Sequence, residues 1–437
     1  MIKTLLHGLR RATNLGSLLL FVYLLAFVRQ CWWPMANPVA AWAGTALVTL
    51  VIWYLVNSLR ATLDVAAHPS RSFVLIVVIP LLAIYLARAA FPDGSFDVLN
   101  YHVMGSARSL HGYPYLPGDF LFPMPGINPL PDMIAGMFRF VLGYRLGTIL
   151  NLLVMLWTGL ALKSLLADWL GKDWQCSLAI LLILLVENVL FLMDTYMVDL
   201  VAVPLLVEAT VLTLKLRQTR DAGRACLYIS ILAGLAVAVK MVNLVFVAPI
   251  LLAAAYMLLV DRRRPALVWL GLSLAALLLP SVPFALIMYA KFQSPTYPFF
   301  NAIFRSPYSL TVNVKDPHWG PRSLFQTLVW PVLILFEPSR ASEMPSFAGS
   351  LTLGYCAAIL YLPFRRIEQP VRVLSFIVLT GSLLWSLSTG YIRYGVYLEI
   401  MSGVLIIFAY RLLSGWLRPP EPAVPELSTA SAGLTRT

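Results

Sequence analysis

Residues 225–260 read ACLYISILAGLAVAVKMVNLVFVAPILLAAAYMLLV, followed by DRRR at 261–264. Lys240 is the one charge in two apolar runs, near 225–241 and 243–260, each close to the roughly 20 residues a helix needs to cross a bilayer. Both runs are apolar on every face, which suits a helix surrounded by lipid or by other apolar helices. The basic group Arg262–Arg264 marks a cytoplasmic end.

Working outward, ten further runs lie near 14–33, 39–57, 72–90, 147–169, 175–193, 197–216, 266–290, 349–364, 371–389 and 392–412. Composition agrees with this reading. The 437 residues are 60% hydrophobic and only 12% charged, against about 25% charged in ordinary soluble domains. Mean hydropathy is +0.81. A soluble enzyme, a disordered chain and a fibrous protein are excluded. The net charge of +12 sits in short connections between apolar runs and is no nucleic-acid signature. Cys31, Cys176, Cys226 and Cys356 lie in or beside apolar segments without metal-ligand spacing, and read as packing residues.

Most of the 32 basic residues fall in short clusters: Lys3/Arg10/Arg11, Arg60/Arg71, Lys163/Lys172, Lys215/Arg217/Arg220/Arg224, Arg262–Arg264, Arg365/Arg366/Arg372 and Arg411/Arg418/Arg436. The positive-inside rule puts all of them in the cytoplasm if the short run Leu324 to Phe336, with Pro331 inside it, is re-entrant or interfacial. The expectation is an all-α polytopic membrane protein of about twelve spans, both termini cytoplasmic. The charged and apolar N-terminus then reads as a retained first helix. Residues 418–437, rich in Pro, Ser and Thr, read as a disordered cytoplasmic tail.

Two large segments then face outward, about 91–146 and 291–348. The first is rich in proline and still apolar, so it reads as packed on the membrane surface, with amphipathic helices at Asp97 to Leu110 and Pro131 to Leu142. Ionisable residues at membrane depth are costly and are functional candidates. Asp97, the group Glu187/Asp194/Asp199, Lys240 and Arg393 with Tyr394 all reach the outer face on this topology. Plainer readings compete: Lys240 and Arg393 snorkel, Asp199 bonds helix-start amides, Asp93 caps a turn, and His102 and His111 are ordinary loop histidines. Asp97 is harder to dismiss, because Tyr101 shares its helix face and His102 follows. A carboxylate there can act as general base, and Lys and Arg can hold a phosphate leaving group. A phosphate-bearing amphiphile with a sugar headgroup fits both, with inversion at the sugar carbon.

Several stretches carry a family resemblance: F-D-V-L-N-Y-H at 96–102, H-G-Y-P-Y with P-M-P-G-I-N-P-L after it, L-G-Y-R-L-G-T-I-L-N at 142–151, M-V-D-L-V-A-V-P-L at 197–205, L-A-G-L-A-V-A-V-K-M at 232–241 and Y-I-R-Y at 391–394. In this order they resemble the GT-C superfamily of polyprenyl-phosphate-sugar-dependent glycosyltransferases. Among its members the chain looks closest to relatives of protein O-mannosyltransferases and of the aminoarabinose transferases of lipid A. The resemblance covers roughly 72–260. It implies Asp97 as catalytic base, Lys240 and Arg393 at the donor phosphate, and Tyr101, His102, Asp199 and Tyr394 around the substrate. It implies a cavity open to the outer leaflet and capped by amphipathic loop helices. Asp97 is flanked by Phe96 and Val98, where protein O-mannosyltransferases carry adjacent acids, and two spans precede the loop.

The domain reading is therefore a two-helix extension (1–71), a GT-C-like catalytic module (72–290), an outer loop (291–348), C-terminal helices (349–417) and the tail (418–437). The implied partners are a polyprenyl-phosphate sugar, membrane lipids and a glycan or lipid acceptor, with no nucleic acid. Metal use varies across the superfamily; no ligand cluster demands a metal, and a divalent cation stays open. The implied location is a plasma membrane, the bacterial inner membrane, with the active site facing the periplasm or exterior. A lipid-linked glycan flippase or carrier also fits twelve spans, and a surface-glycan polymerase or ligase would use related donors.

Overall fold

A computed structural model describes residues 14–31, 38–63, 68–110, 128–260, 266–313, 318–343 and 346–417. Among these the chain is all-helical, without strands. The helices are α1 (Leu15–Cys31), α2 (Pro38–Ala61), α3 (Arg71–Ala89), α4 (Val103–Leu110), α5 (Leu130–Leu146), α6 (Ile149–Leu170), α7 (Asp173–Leu184), α8 (Glu187–Leu192), α9 (Val203–Lys215), α10 (Ala222–Val239), α11 (Leu244–Val260), α12 (Ala266–Phe292), α13 (Asn301–Phe304), α14 (Leu324–Leu333), α15 (Gly349–Tyr361), α16 (Gln369–Ser388) and α17 (Val396–Leu417).

Eight helices among the described residues are long and apolar enough to cross a membrane: α2, α3, α6, α10, α11, α12, α16 and α17. The chain is thus a helical polytopic membrane protein. The other four apolar runs form shorter helices. Run 175–193 breaks at Leu185, which leaves helical geometry (φ −84°, ψ 37°) before Glu187 starts α8. Run 197–216 opens as a 3₁₀ turn, Asp199–Ala202, and becomes α-helical only at α9. Runs 14–33 and 349–364 are α1 and α15.

The inner helices are α6 and α10, with 78% of their spanning window buried, whereas α12 has 11% and lies at the periphery. Tight packing between helices uses small residues. A Cβ on Gly234 of α10 would stand 2.6 Å from the Leu277 carbonyl oxygen and 2.8 Å from that of Ala276, both on α12. Gly234→Ala gains helix propensity but forces two backbones apart. We expect it to destabilise the fold by about 1–3 kcal/mol, read as a lower melting temperature in detergent.

Arg60, grouped with Arg71 on sequence as a basic cluster, is buried, with Nε and Nη2 donating to both oxygens of Glu208 on α9, at 2.7 and 3.0 Å. Trp157 Nε1 and the Tyr228 hydroxyl donate to the same carboxylate, at 2.5 and 2.9 Å. Arg60 Nη1 donates to Asn14 Oδ1 at 2.6 Å. Five helices or helix flanks are tied through this one charge pair.

Residues 98–110 and 130–146 are helical, but not uniformly. A π-helical turn, Val98–His102, precedes α4. The helix expected at Pro131 to Leu142 runs on to Leu146, with Gly143 breaking it at φ 79°. His111 and the H-G-Y-P-Y stretch lie outside the described residues. The short run at 324–336 forms α14, whose buried Trp330 donates from Nε1 to the Gly390 carbonyl at 2.7 Å.

Candidate functional site

Four charged side chains from separate stretches meet in one cluster. Lys240 ends α10 in extended geometry (φ −156°, ψ 117°), which turns its side chain away from the helix. Its Nζ lies 2.5 Å from Asp199 Oδ1. Asp199 begins the 3₁₀ turn ahead of α9. Arg393 lies in the 3₁₀ turn Ile392–Gly395 ahead of α17. Its Nη2 donates to Asp97 Oδ2 at 2.8 Å, and its Nε lies 3.6 Å from Asp199 Oδ2. The Glu343 carboxylate stands 3.9 Å from Arg393 Nη1 at an exposed rim. Asp97, Asp199, Lys240 and Arg393 each stand at a helix end or in a turn beside one, where backbone hydrogen bonding is incomplete.

Aromatic rings line the cations. Lys240 Nζ stands 4.0 Å above the Tyr394 ring, and the Arg393 guanidinium 5.1 Å from the Tyr391 ring and 5.6 Å from that of Tyr394. Such stacking holds a cation without consuming its hydrogen-bond donors. Arg393 and Asp199 are almost fully buried, while Asp97 and Lys240 are about a quarter exposed, at 21% and 25%. The cluster is therefore accessible through Asp97 and Lys240. Burial, and then the Asp97 carboxylate, hold the Tyr101 hydroxyl well above the usual phenol range.

Val203, Leu206, Val242, Val396 and Tyr397 line one small space together with Asp199, Lys240, Asn243 and Arg393. The free space is about 10 Å³, room for a single water. An anion entering here must displace carboxylates from Lys240 and Arg393. A larger cavity of about 150 Å³ lies between Asp168, Lys215, Glu368 and Arg411. Its charges are mutually paired, Lys215 with Asp168 and Arg411 with Glu368, each at 3.0 Å.

Asp97, Tyr101, Asp199, Lys240, Arg393 and Tyr394 thus share one site. His102 flanks it, with Nδ1 2.6 Å from Asp132 Oδ1. Glu187 and Asp194, grouped with the site on sequence, go elsewhere: Glu187 accepts from Ser346 Oγ and the Phe347 amide, at 2.9 and 3.0 Å, and Asp194 accepts from Arg88 at 2.7 Å. Asp93 accepts the Ser95 amide, as a turn residue does, and also the Tyr196 amide, each at 2.9 Å, pinning the segment after α3 to the turn after α8. Asp132 and Glu343 were missed on sequence: Pro131-Asp132 has the look of an ordinary helix start, and Glu343 stands in a polar loop. Among the described residues no group of three or more His, Cys, Asp or Glu side chains is arranged to hold a metal. No family model matches the chain, and neither a curated protein nor a solved structure matches it.

Proposed function

We propose that this chain is an integral membrane glycosyltransferase that moves a sugar from a polyprenyl phosphate to a glycan or lipid acceptor at the outer face. One observation carries the reading: Lys240 and Arg393 converge with Asp97 and Asp199, beside apolar side chains of α9 and α17. Phosphate on Lys240 and Arg393 with the sugar beside Asp97 is the arrangement such a donor needs. The proposed topology has about twelve spans, both termini cytoplasmic and the site facing the exterior of a plasma membrane.

In this reading the donor phosphate takes over the Arg393 and Lys240 hydrogen bonds and frees Asp97. Asp97 accepts the proton of the acceptor hydroxyl as its oxygen forms the bond to the sugar carbon. The old carbon–oxygen bond breaks, its electron pair stays on the phosphate, and the sugar inverts. Arg393→Lys keeps the charge but loses the planar fork. Losing a hydrogen bond to a charged group is worth about 1.5–3 kcal/mol, so the donor KM should rise roughly tenfold to a hundredfold.

Binding of the product lipid tests the site without knowledge of the sugar. Polyprenyl phosphate should raise the melting temperature of the purified protein through linkage, and uncharged polyprenol should not. The gain should shrink in Lys240→Gln and in Arg393→Lys. Equal stabilisation by both lipids would remove the phosphate role.

A further inference from the structure

The segment 318–343 is locked onto the turn that carries Arg393. Gly320 lies in the left-handed region at φ 84°, and a Cβ there would run into the Thr389 carbonyl. Glycine alone allows both that angle and that approach. The Trp330 indole donates to the Gly390 carbonyl at 2.7 Å, and the Ile392 amide to the Ala341 carbonyl at 2.8 Å. Arg340 closes the segment on itself: its Nη2 donates to the Gly320 carbonyl at 2.9 Å, and its own carbonyl accepts the Gly320 amide at 3.0 Å.

Two side chains of this segment are thereby fixed near Arg393. Trp319 is half-buried and packs on buried Tyr391, with ring centroids 5.2 Å apart and planes inclined by 31°. Tyr391 in turn lies 5.1 Å from the Arg393 guanidinium. Glu343, 55% exposed, stands 3.9 Å from Arg393 Nη1, while Asp97 accepts from Nη2 of the same group at 2.8 Å. Asp97 and Glu343 thus flank one guanidinium, with the indole one ring further out. At 3.9 Å Glu343 is an ion-pair partner and no hydrogen-bond acceptor of Arg393. Its exposed carboxylate can accept from the hydroxyls of a ligand.

A sugar ring is polar around its rim and apolar on its C–H faces. Holding one takes an acceptor for the rim and a flat apolar surface for a face, and a carboxylate and an indole supply these. We propose that Trp319 and Glu343 form the subsite for the sugar of the donor, with Trp319 against a C–H face and Glu343 accepting from the hydroxyls. This rests on the transferase reading above. It also limits the sugar to one without an acid group. Once the donor phosphate occupies Lys240 and Arg393, an acidic sugar would meet the Asp97 and Glu343 carboxylates with no cation left to it.

Thermal stabilisation of the purified full chain separates the sugar from the phosphate. The probes are polyprenyl phosphate and the same lipid carrying a neutral hexose, a pentose, an N-acetylhexosamine or a hexuronate. In wild type at least one uncharged sugar should bind about tenfold more tightly than bare polyprenyl phosphate, the margin of one aromatic contact. The hexuronate should show no such margin. Trp319→Ala should erase the margin and leave polyprenyl phosphate binding unchanged, and Trp319→Phe should keep part of it. Glu343→Gln, a change at an exposed position, should shrink the margin as well. An intact margin in Trp319→Ala overturns the inference. So does an equal loss for sugar-bearing and bare lipid, which would make Trp319 a structural residue of the rim. Wild-type binding of polyprenyl phosphate without a margin for any sugar overturns the subsite alone. Wild type that binds none of these lipids removes the subsite together with the transferase reading.

Discussion

Asp97→Asn is expected to lower sugar transfer by about 10²–10⁴-fold, the range a general base contributes, while the protein stays folded. The substitution removes a proton acceptor and hardly any volume. Arg393 keeps Asp199 3.6 Å from its Nε and the Tyr391 and Tyr394 rings beside it, so the guanidinium is not stranded. The same change removes one of the two carboxylates that compete with a phosphate for Arg393 and Lys240. The variant should therefore bind polyprenyl phosphate at least as tightly as wild type. A titration of the variant with that lipid, beside turnover of both proteins, separates loss of chemistry from loss of binding. Retained turnover would take Asp97 out of the mechanism.

The second large effect concerns the fold. Glu208→Gln leaves the Arg60 guanidinium buried without its counter-charge, although Trp157, Tyr228 and Asn14 remain in place. Breaking a buried pair by removing one partner costs about 3–5 kcal/mol. The variant should unfold at a markedly lower temperature in detergent or fail to accumulate in the membrane. Replacing both partners by apolar residues, Arg60→Met with Glu208→Leu, should recover much of that loss, because no unpaired charge is left behind. A double variant as unstable as the single one would show that Arg60 serves a role beyond neutralising Glu208.

Much of this architecture is legible in the sequence because a bilayer imposes long apolar runs, and such runs are visible without an alignment. The same physics exposes Asp199, Lys240 and Arg393, since a charge inside such a run needs a reason, and Asp97 stands just beyond the run at 72–90. What stays hidden is partnership. Arg60 near a span end looks the same whether it faces water or a carboxylate contributed by α9. Asp132 after Pro131 has the signature of a first helical turn, and nothing local reveals that a histidine thirty residues earlier rests on it. The π-helical turn at Val98–His102 leaves no periodic mark, because it lasts only five residues. The runs at 175–193 and 197–216 look continuous, yet their helices break beside Glu187 and Asp199, where polar side chains bond to loop or helix-end groups.

The most direct test of the account is release of polyprenyl phosphate by the purified full chain in liposomes. These would be supplied with a panel of polyprenyl-phosphate sugars and a membrane lipid extract as acceptor. The account predicts that one donor is consumed, that one polyprenyl phosphate appears for each sugar transferred, and that Asp97→Asn releases almost none. Movement of an intact sugar lipid across the bilayer, with no phosphate freed from any donor, would contradict it and identify the protein as a carrier.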